Sequence, residues 1–260
     1  MHIDVRLGGD AAFDTLVAAC RDMGLQMILD GVFNHVSRNH PAVQAALDEA
    51  AGRLNPADNP WHGLVRTHVG DNGEHALDVF EGHGDLVALD HQSDETVDYV
   101  ARVMNYWLDR GAAGWRLDAA YAVPSAFWAR VLPQVKAAHP YSWIFGEVIH
   151  GDYPRIVEES TMDSVTQYEL WKSIQHALET ENFFELDWNL KRHNAFLDSF
   201  VPQTFIGNHD VTRIASQVGS AKAALAVAVL LTVGGVPSIY YGDEQGYVCL
   251  LYTSDAADEG

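Results

Sequence analysis

The chain has 260 residues, of which 16 are Lys or Arg and 36 are Asp or Glu, so its formal net charge is −20. With 48% hydrophobic residues it can bury a full core, which excludes intrinsic disorder, and its acidity argues against a nucleic-acid partner. The longest apolar run, residues 223–233, is too short to span a membrane, and Cys20 and Cys249 cannot form a disulfide framework. We therefore expect a soluble, acidic, globular protein.

The first third of the chain alternates amphipathic helices with short apolar strands. Asp10 is placed to cap a helix that runs to residue 23, and residues 25–29 predict a buried strand that stops at Asp30. Residues 93–111 predict a second helix, because their apolar side chains recur every three or four positions. Residues 114–118 predict the strand that follows it.

One long segment interrupts this alternation. Residues 36–90 are mostly polar, with a short Ala-rich helix that begins near Pro41 and scattered aromatic residues and histidines. A connection of about 50 residues is too long for an ordinary loop between a strand and its helix. We therefore predict a small inserted subdomain over residues 37–90, in a place where loops commonly build specificity.

The rest of the chain continues the alternation. Strands are predicted at residues 143–148, 164–168, 204–207 and 236–241, and helices at 125–138, 170–178, 184–200 and 221–233. Alternating strands and helices indicate an α/β fold with a parallel sheet, either an open doubly wound sheet or most of an eight-stranded barrel. Acidic residues at the ends of several strands favour the (β/α)8 barrel, and no glycine-rich phosphate loop supports the nucleotide-binding alternative.

Four acidic residues lie at or just past predicted strand ends: Asp30, Asp118, Glu147 and Asp210. Each alone could be a helix cap. Arg116, however, lies two residues before Asp118 on the same strand face and would keep that carboxylate ionised. Glu147 follows an apolar strand, and such surroundings favour a protonated carboxyl group. One ionised and one protonated carboxyl group are what retaining glycoside hydrolysis requires.

The segments around these acids resemble the ordered signature regions of the α-amylase family of glycoside hydrolases (family 13). They are Asp30-x-Val32-x-Asn34-His35, Gly114-Trp115-Arg116-Leu117-Asp118, Gly146-Glu147-Val148 and Phe205-x-x-Asn208-His209-Asp210. Residues 235–244 resemble that family's last barrel strand. The resemblance covers about residues 2–247 and implies a glycosidase that acts on an oligosaccharide or α-glucan.

The resemblance also implies roles for single residues. Asp118 would be the nucleophile, Glu147 the acid/base, and Asp210 the group that stabilises the transition state. Arg116 would orient Asp118, and Asp30 would be a buried structural partner of the Arg116 region. The residues implied or suggested to bind the sugar are His35, His209, Asn208 and Tyr168.

The sequence departs from the family pattern in ways that leave its specificity open. Tyr121 and Ala122 stand where classical α-amylases have a Lys-His pair tied to an acceptor subsite and calcium. Asn34 keeps the residue type of the family's calcium ligand, so calcium stays an open alternative and no other cofactor is expected. The linkage, and hydrolysis as against transfer by a sucrose- or trehalose-directed transglycosylase or isomerase, stay open too.

The ends of the chain lead to a further expectation. Six of eight barrel strands are visible, so we expect a partial catalytic domain, with barrel segments at 1–36 and 91–248. Residues 249–260 resemble translated sequencing adaptor and are expected to be a non-native tail. Such a piece should be unstable and inactive on its own, because an open barrel exposes unpaired strand edges. Cysteine usage points to the cytoplasm, and the oligomeric state is not predicted.

Overall fold

The computed structural model describes residues 1–70 and 73–248, which form two compact units. The first unit consists of Met1–Gly146 and Glu159–Met162. The described part of the second consists of Glu147–Glu158 and residues 163–248. The predicted non-native tail at residues 249–260 lies outside the described residues.

The first unit contains four helices and seven strands within its described residues. In chain order they are α1 (Gly9–Asp22), β1 (Ile28–Gly31), β2 (His35–Ser37), α2 (Pro41–Ala50), β3 (Thr67–Val69), β4 (His75–Leu77), β5 (Leu86–Ala88), α3 (Asp94–Asp109), β6 (Gly114–Leu117), α4 (Ser125–Ala138) and β7 (Trp143–Gly146). Strand β6 pairs in parallel with β1 on one side and with β7 on the other. The α/β class with parallel strands is therefore confirmed.

The register of this sheet aligns the predicted site residues. Asp30 of β1 is the partner of Arg116 in β6, and Arg116 is in turn the partner of Phe145 in β7. Gly114 pairs with Trp143 at the start of the strands, where the two backbones pass closely. Parallel strands end at one edge of a sheet, so the residues after β1 and β6 come out on the same side.

Residues 35–90 contain two antiparallel strand pairs and a small apolar cluster. Strand β2 pairs with β5, and β3 pairs with β4. The cluster comprises Ala42, Val43, Leu64, Val65, Val87 and Leu89, all buried. The Ala-rich helix expected near Pro41 is confirmed as α2, whereas the sequence did not predict β2–β5.

The second unit is built from short strands and helices. Its described elements are α5 (Tyr153–Ser160), β8 (Ser164–Val165), α6 (Tyr168–Thr180), α7 (Phe184–Phe196), β9 (Gln203–Phe205), α8 (Ile214–Leu230, interrupted at Gly219) and β10 (Val236–Ser238). Strand β9 pairs in parallel with β10, and Gln203 also bridges in parallel to Thr166 after β8. Buried apolar side chains of α6 and α8, including Leu170, Ile174 and Leu230, form its core.

Several predicted boundaries are wrong. The strand at 25–29 begins only at Ile28 and is not buried, because β1 pairs only with β6 and so has one free edge among the described residues. Asp10 does not cap α1: Gly8 is the cap, at a φ of 96°, and Asp10 accepts a hydrogen bond from the Ile3 backbone instead.

In the second unit the strand at 164–168 is shorter than predicted. Gln167 accepts a hydrogen bond from the Leu170 backbone N–H and so caps α6, which makes Tyr168 the first helical residue. The helix expected at 184–200 ends at Phe196, and that expected at 221–233 is the second part of α8, which ends at Leu230. Across the described parts of the chain, no helix combines the length and the apolarity that a bilayer crossing requires.

Candidate active site

In the first unit, Arg116 lies between two carboxylates. Its Nη1 is 3.0 Å from Asp118 Oδ1 and 2.8 Å from each oxygen of Asp30. The parallel register places Asp30 beside Arg116, and Asp118 follows two residues later on the same face. The Arg116 side chain is 16% exposed and that of Asp118 is 25% exposed, so the ion pair is partly shielded from water.

Asp30 was predicted to be a buried partner of Arg116. The partnership is present, but the Asp30 side chain is 50% exposed, so the prediction of burial is wrong. The reason is the position of β1, which has one neighbouring strand among the described residues and leaves its side chains uncovered on the other side.

His35 lies close to this ion pair. Its ring stacks on Phe80, with 5.0 Å between ring centroids and 18° between planes. Burial lowers the pKa of His35, and His83 lowers it further, while the nearby charge of Asp118 opposes the change. A half-buried neutral imidazole on an aromatic ring is suited to hydrogen bonding with a sugar hydroxyl group.

Asn34 is buried, and its side chain faces its neighbour in the sequence. The amide nitrogen of Asn34 lies 3.3 Å from His35 Nδ1. Among the residues that the structure describes, no three His, Cys, Asp or Glu side chains are grouped as metal ligands.

A contact between the segment after β6 and residues 37–90 was not predicted. The Tyr121 hydroxyl donates to Glu81 Oε1 at 3.1 Å. Glu81 and Ala119 have φ values of 47° and 45°, a conformation that is costly for residues other than glycine. Spacing along the chain gives no signal for a pair 40 residues apart.

In the second unit, Glu147 is held by a tyrosine. Glu147 follows Gly146 directly and is 8% exposed, and the Tyr168 hydroxyl donates to its Oε1 at 3.0 Å. Burial raises the pKa of Tyr168, and so does the negative charge of Glu147, so this phenol keeps its proton at neutral pH. Glu147 is thus buried and has a directed hydrogen-bond donor.

The remaining predicted site residues follow β9. Asn208 Nδ2 donates to the Tyr168 hydroxyl oxygen at 2.8 Å, and the Asp210 backbone N–H donates to Asn208 Oδ1 at 2.9 Å. His209 Nε2 lies 3.4 Å from Asp210 Oδ1, and both side chains are about half exposed. The structure therefore brings Glu147, Tyr168 and Asn208 together and leaves His209 and Asp210 open to solvent.

A buried ion pair beside this group received no predicted role. Arg213 Nη1 is 2.9 Å from Asp243 Oδ1, with side-chain exposures of 7% and 0%. Burial raises the pKa of Asp243, while Arg213 opposes that change. A Cβ atom on Gly207 would lie 2.7 Å from Asp243 Oδ2, so a side chain at this position would press on the pair. The sequence signal that could have indicated this ion pair is a charged residue within an apolar segment near a strand end.

The two groups of residues offer complementary chemistry. In the first unit a carboxylate is paired with an arginine, which suits a nucleophile or a group that stabilises positive charge. In the second a buried carboxyl group accepts a hydrogen bond from a tyrosine, which suits proton transfer. Paired carboxyl groups of these two kinds are the groups used in glycoside hydrolysis.

Comparison with known proteins agrees with this chemistry. The family described as "Alpha amylase, catalytic domain" matches residues 1–259. The chain is 29% identical to the maltogenic alpha-amylase of Bacillus acidopullulyticus, over 95% of this chain and 43% of that protein. It is 30% identical to a cyclomaltodextrinase of Thermoanaerobacter pseudethanolicus, over 95% of this chain and 44% of that protein.

Two solved structures are also similar to this chain. The cyclic alpha-maltosyl-(1→6)-maltose hydrolase of Arthrobacter globiformis matches with a TM-score of 0.81 and 26% identity, over 95% of this chain and 57% of that one. The debranching enzyme of Nostoc punctiforme matches with a TM-score of 0.80 and 25% identity, over 97% and 59%. The chain thus spans less than half the length of the curated relatives named here.

Proposed function

The chain belongs to the α-amylase family, and from that premise we propose that it is the catalytic part of a retaining glycosidase acting on malto-oligosaccharides or other α-glucans. The observation that carries the proposal is the Arg116–Asp118 ion pair at the end of β6, 3.0 Å long and partly shielded. It supports the role of nucleophile that the motif resemblance implies for Asp118, and the family match over residues 1–259 is consistent with that role.

The proposed reaction has two steps. In the first, a carboxylate oxygen of Asp118 attacks the anomeric carbon while Glu147 protonates the departing glycosidic oxygen, leaving a glycosyl–enzyme intermediate. In the second, Glu147 takes a proton from water, the water oxygen attacks the same carbon, and Asp118 is released. Asp210 would stabilise the positive charge that develops on the sugar. No calcium-dependent step is included.

The other residues would bind or orient. Arg116 holds the Asp118 carboxylate in line, with Asp30 as its second partner. His35 on Phe80 and the exposed His209 would hydrogen-bond the sugar in the cleaved subsite. These roles rest on the motif resemblance and on the contacts described above, and each makes a separate target for substitution.

We also propose a domain arrangement. Residues 1–36 and 91–248 would belong to a (β/α)8 barrel of which the described strands are a part. Residues 37–90 would be an inserted subdomain, which is supported by the antiparallel pair β3–β4 and the apolar cluster formed within them. We further propose a cytoplasmic location, because a chain with so few cysteines does not depend on disulfides.

Two further candidate functions follow from the family. The relatives include a cyclomaltodextrin glucanotransferase of Geobacillus stearothermophilus, 26% identical over 90% of this chain, so glucosyl transfer is one alternative. The other alternative is the one expected from the sequence, that the 260-residue piece is inactive on its own.

The test is a product analysis of the complete gene product with maltoheptaose, β-cyclodextrin, pullulan and sucrose. Each substrate is incubated with and without excess glucose as acceptor. The proposal predicts shorter malto-oligosaccharides from maltoheptaose in both conditions. Elongated products that dominate in the presence of acceptor would favour the transferase, and no reaction with any of these sugars from a folded protein would contradict the proposal.

A further inference from the structure

A chain of three hydrogen bonds connects the backbone of Asp210 to the carboxyl group of Glu147. The Asp210 N–H donates to Asn208 Oδ1 (2.9 Å), Asn208 Nδ2 donates to the Tyr168 oxygen (2.8 Å), and the Tyr168 hydroxyl donates to Glu147 Oε1 (3.0 Å). We propose that Tyr168 and Asn208 are positioning residues that fix which oxygen of Glu147 transfers the catalytic proton. This inference rests on the proposed function, since it needs Glu147 to be the acid/base.

The direction of each bond follows from what the groups can donate. A backbone N–H can only donate, so the group of Asn208 that faces Asp210 is its oxygen. The amide nitrogen of Asn208 therefore faces Tyr168, and it too can only donate. The Tyr168 oxygen accepts that bond and has a single proton of its own, which is directed to Glu147 Oε1.

This direction assigns the reacting oxygen. Because Glu147 Oε1 accepts a hydrogen bond from Tyr168, the proton that Glu147 gives to the glycosidic oxygen is carried by Oε2. In the first step the O–H bond at Oε2 breaks and its electron pair stays on the carboxylate. The leaving oxygen takes the proton as the electron pair of the breaking C–O bond moves onto it. In the second step Oε2 takes the proton back from the attacking water.

Packing keeps this arrangement in place. Tyr168 is 8% exposed, and its ring meets those of Trp171 and Phe205 edge-on, with centroids 5.8 and 4.8 Å away. A ring held on two sides cannot swing its hydroxyl group away from Glu147 without opening the core. In this proposal Tyr168 holds Glu147 in place, and the direct sugar contact expected from the sequence stays a separate prediction.

Two substitutions break the chain at different points. Tyr168→Phe removes the donor to Glu147 and keeps the ring. Asn208→Asp keeps the acceptor for the Asp210 N–H but cannot donate, so it draws the phenol proton towards position 208 and away from Glu147. Neither substitution removes a group that would be expected to react with the sugar.

The readout is kcat/KM of the complete gene product on two substrates that differ in their leaving group. Maltoheptaose has a poor leaving group, so its cleavage depends on proton donation by Glu147. α-Maltosyl fluoride has a good leaving group, so its cleavage depends little on that proton. Both variants should lose about 10- to 100-fold on maltoheptaose, part of the effect of general acid catalysis. On the fluoride we expect a loss of less than about threefold, because the nucleophilic attack is untouched.

The matched control is Tyr153→Phe, a second tyrosine of the same unit that is 1% exposed and packs edge-on against Phe196. It should change neither value of kcat/KM. Equal losses of kcat/KM on both substrates in Tyr168→Phe would overturn only the positioning role of these residues. So would wild-type activity on maltoheptaose in Asn208→Asp. A folded wild type that cleaves neither substrate would overturn the proposed function, and the inference with it.

Discussion

A single nitrogen of Arg116 lies within 3.0 Å of three carboxylate oxygens, two from Asp30 and one from Asp118. Its position decides where the Asp118 carboxylate points. The spacing of Arg116 and Asp118 along one strand predicted this pair from the sequence, because residues two apart share a face. The bond from Tyr168 to Glu147 spans 21 residues and depends on where α6 begins, and no local pattern indicates that position.

Arg116→Lys tests this role of the arginine. The substitution keeps the charge but replaces a planar group with a shorter-reaching point charge that cannot occupy the same place. We expect kcat to fall by about 10- to 100-fold, as a misplaced reacting group does, with little change in KM. Steady-state kinetics on maltoheptaose measure both constants. Arg130→Lys, on an exposed arginine that pairs with Asp94, is the control, and an equal loss there would contradict the account.

The titration of His91 makes the free energy of unfolding depend on pH. Burial lowers its pKa below the ordinary value of about 6.5, an effect that its hydrogen bond to the Phe33 carbonyl opposes. Just below that pH the unfolded state binds more protons than the folded state, so the contribution of His91 to the free energy of unfolding falls as pH falls and is complete above about 6.5.

Urea unfolding followed by tryptophan fluorescence at pH 8.0 and pH 5.5 measures this contribution. We expect a lower midpoint at pH 5.5 in the wild type and a smaller difference between the two values in His91→Gln. The same difference in both proteins would mean that other groups cause the pH dependence.

At the scale of elements, the sequence predicted the strand–helix order better than its boundaries. The helix at 125–138 was predicted at its observed ends, since its apolar side chains repeat with the helical period. Strands β2–β5 have three residues each, too few to show alternation, and so were missed. The start of β1 is set by pairing with β6 and not by the apolar run that precedes it.

The close approach of β6 and β7 makes a glycine necessary. A Cβ atom on Gly114 would lie 1.9 Å from the Trp143 carbonyl oxygen and 2.9 Å from Ile28 Cδ1. Gly114→Ala would therefore push the strands apart, and overpacking of this kind costs about 1–3 kcal/mol or more.

The midpoint of urea unfolding measures this cost. Gly84→Ala is the matched control, because a Cβ atom there meets nothing within 4 Å and the backbone is not left-handed. An unchanged midpoint in Gly114→Ala, or an equal shift in both variants, would contradict the described packing of the sheet.

At the scale of the whole molecule, each unit exposes apolar side chains. In the first unit Leu16 is 54% exposed and Leu25 57%, and in the second Leu225 and Leu231 are each 56% exposed. Apolar surface of this kind favours association and a loosely packed state. The instability expected from the sequence therefore stays a prediction for the 260-residue chain. It predicts dye binding by 8-anilinonaphthalene sulfonate and a weak near-ultraviolet circular dichroism signal, whereas a sharp signal with a cooperative melt would contradict it.

The sequence alone was sufficient for the family and the order of its motifs, because five short segments in a fixed order carry that information. It could not give the partners of each side chain, which depend on contacts between distant segments. Tyr121 with Glu81 and Arg213 with Asp243 are two such pairs.

As proposed above, Asp118 forms a covalent intermediate and the anomeric configuration is retained. The most direct measurement follows the first product anomer by proton NMR when the complete gene product cleaves maltoheptaose, with Asp118→Asn beside it. The account predicts that the α-anomer appears first and that Asp118→Asn is inactive but folded. The β-anomer as first product, or full activity of Asp118→Asn, would contradict it.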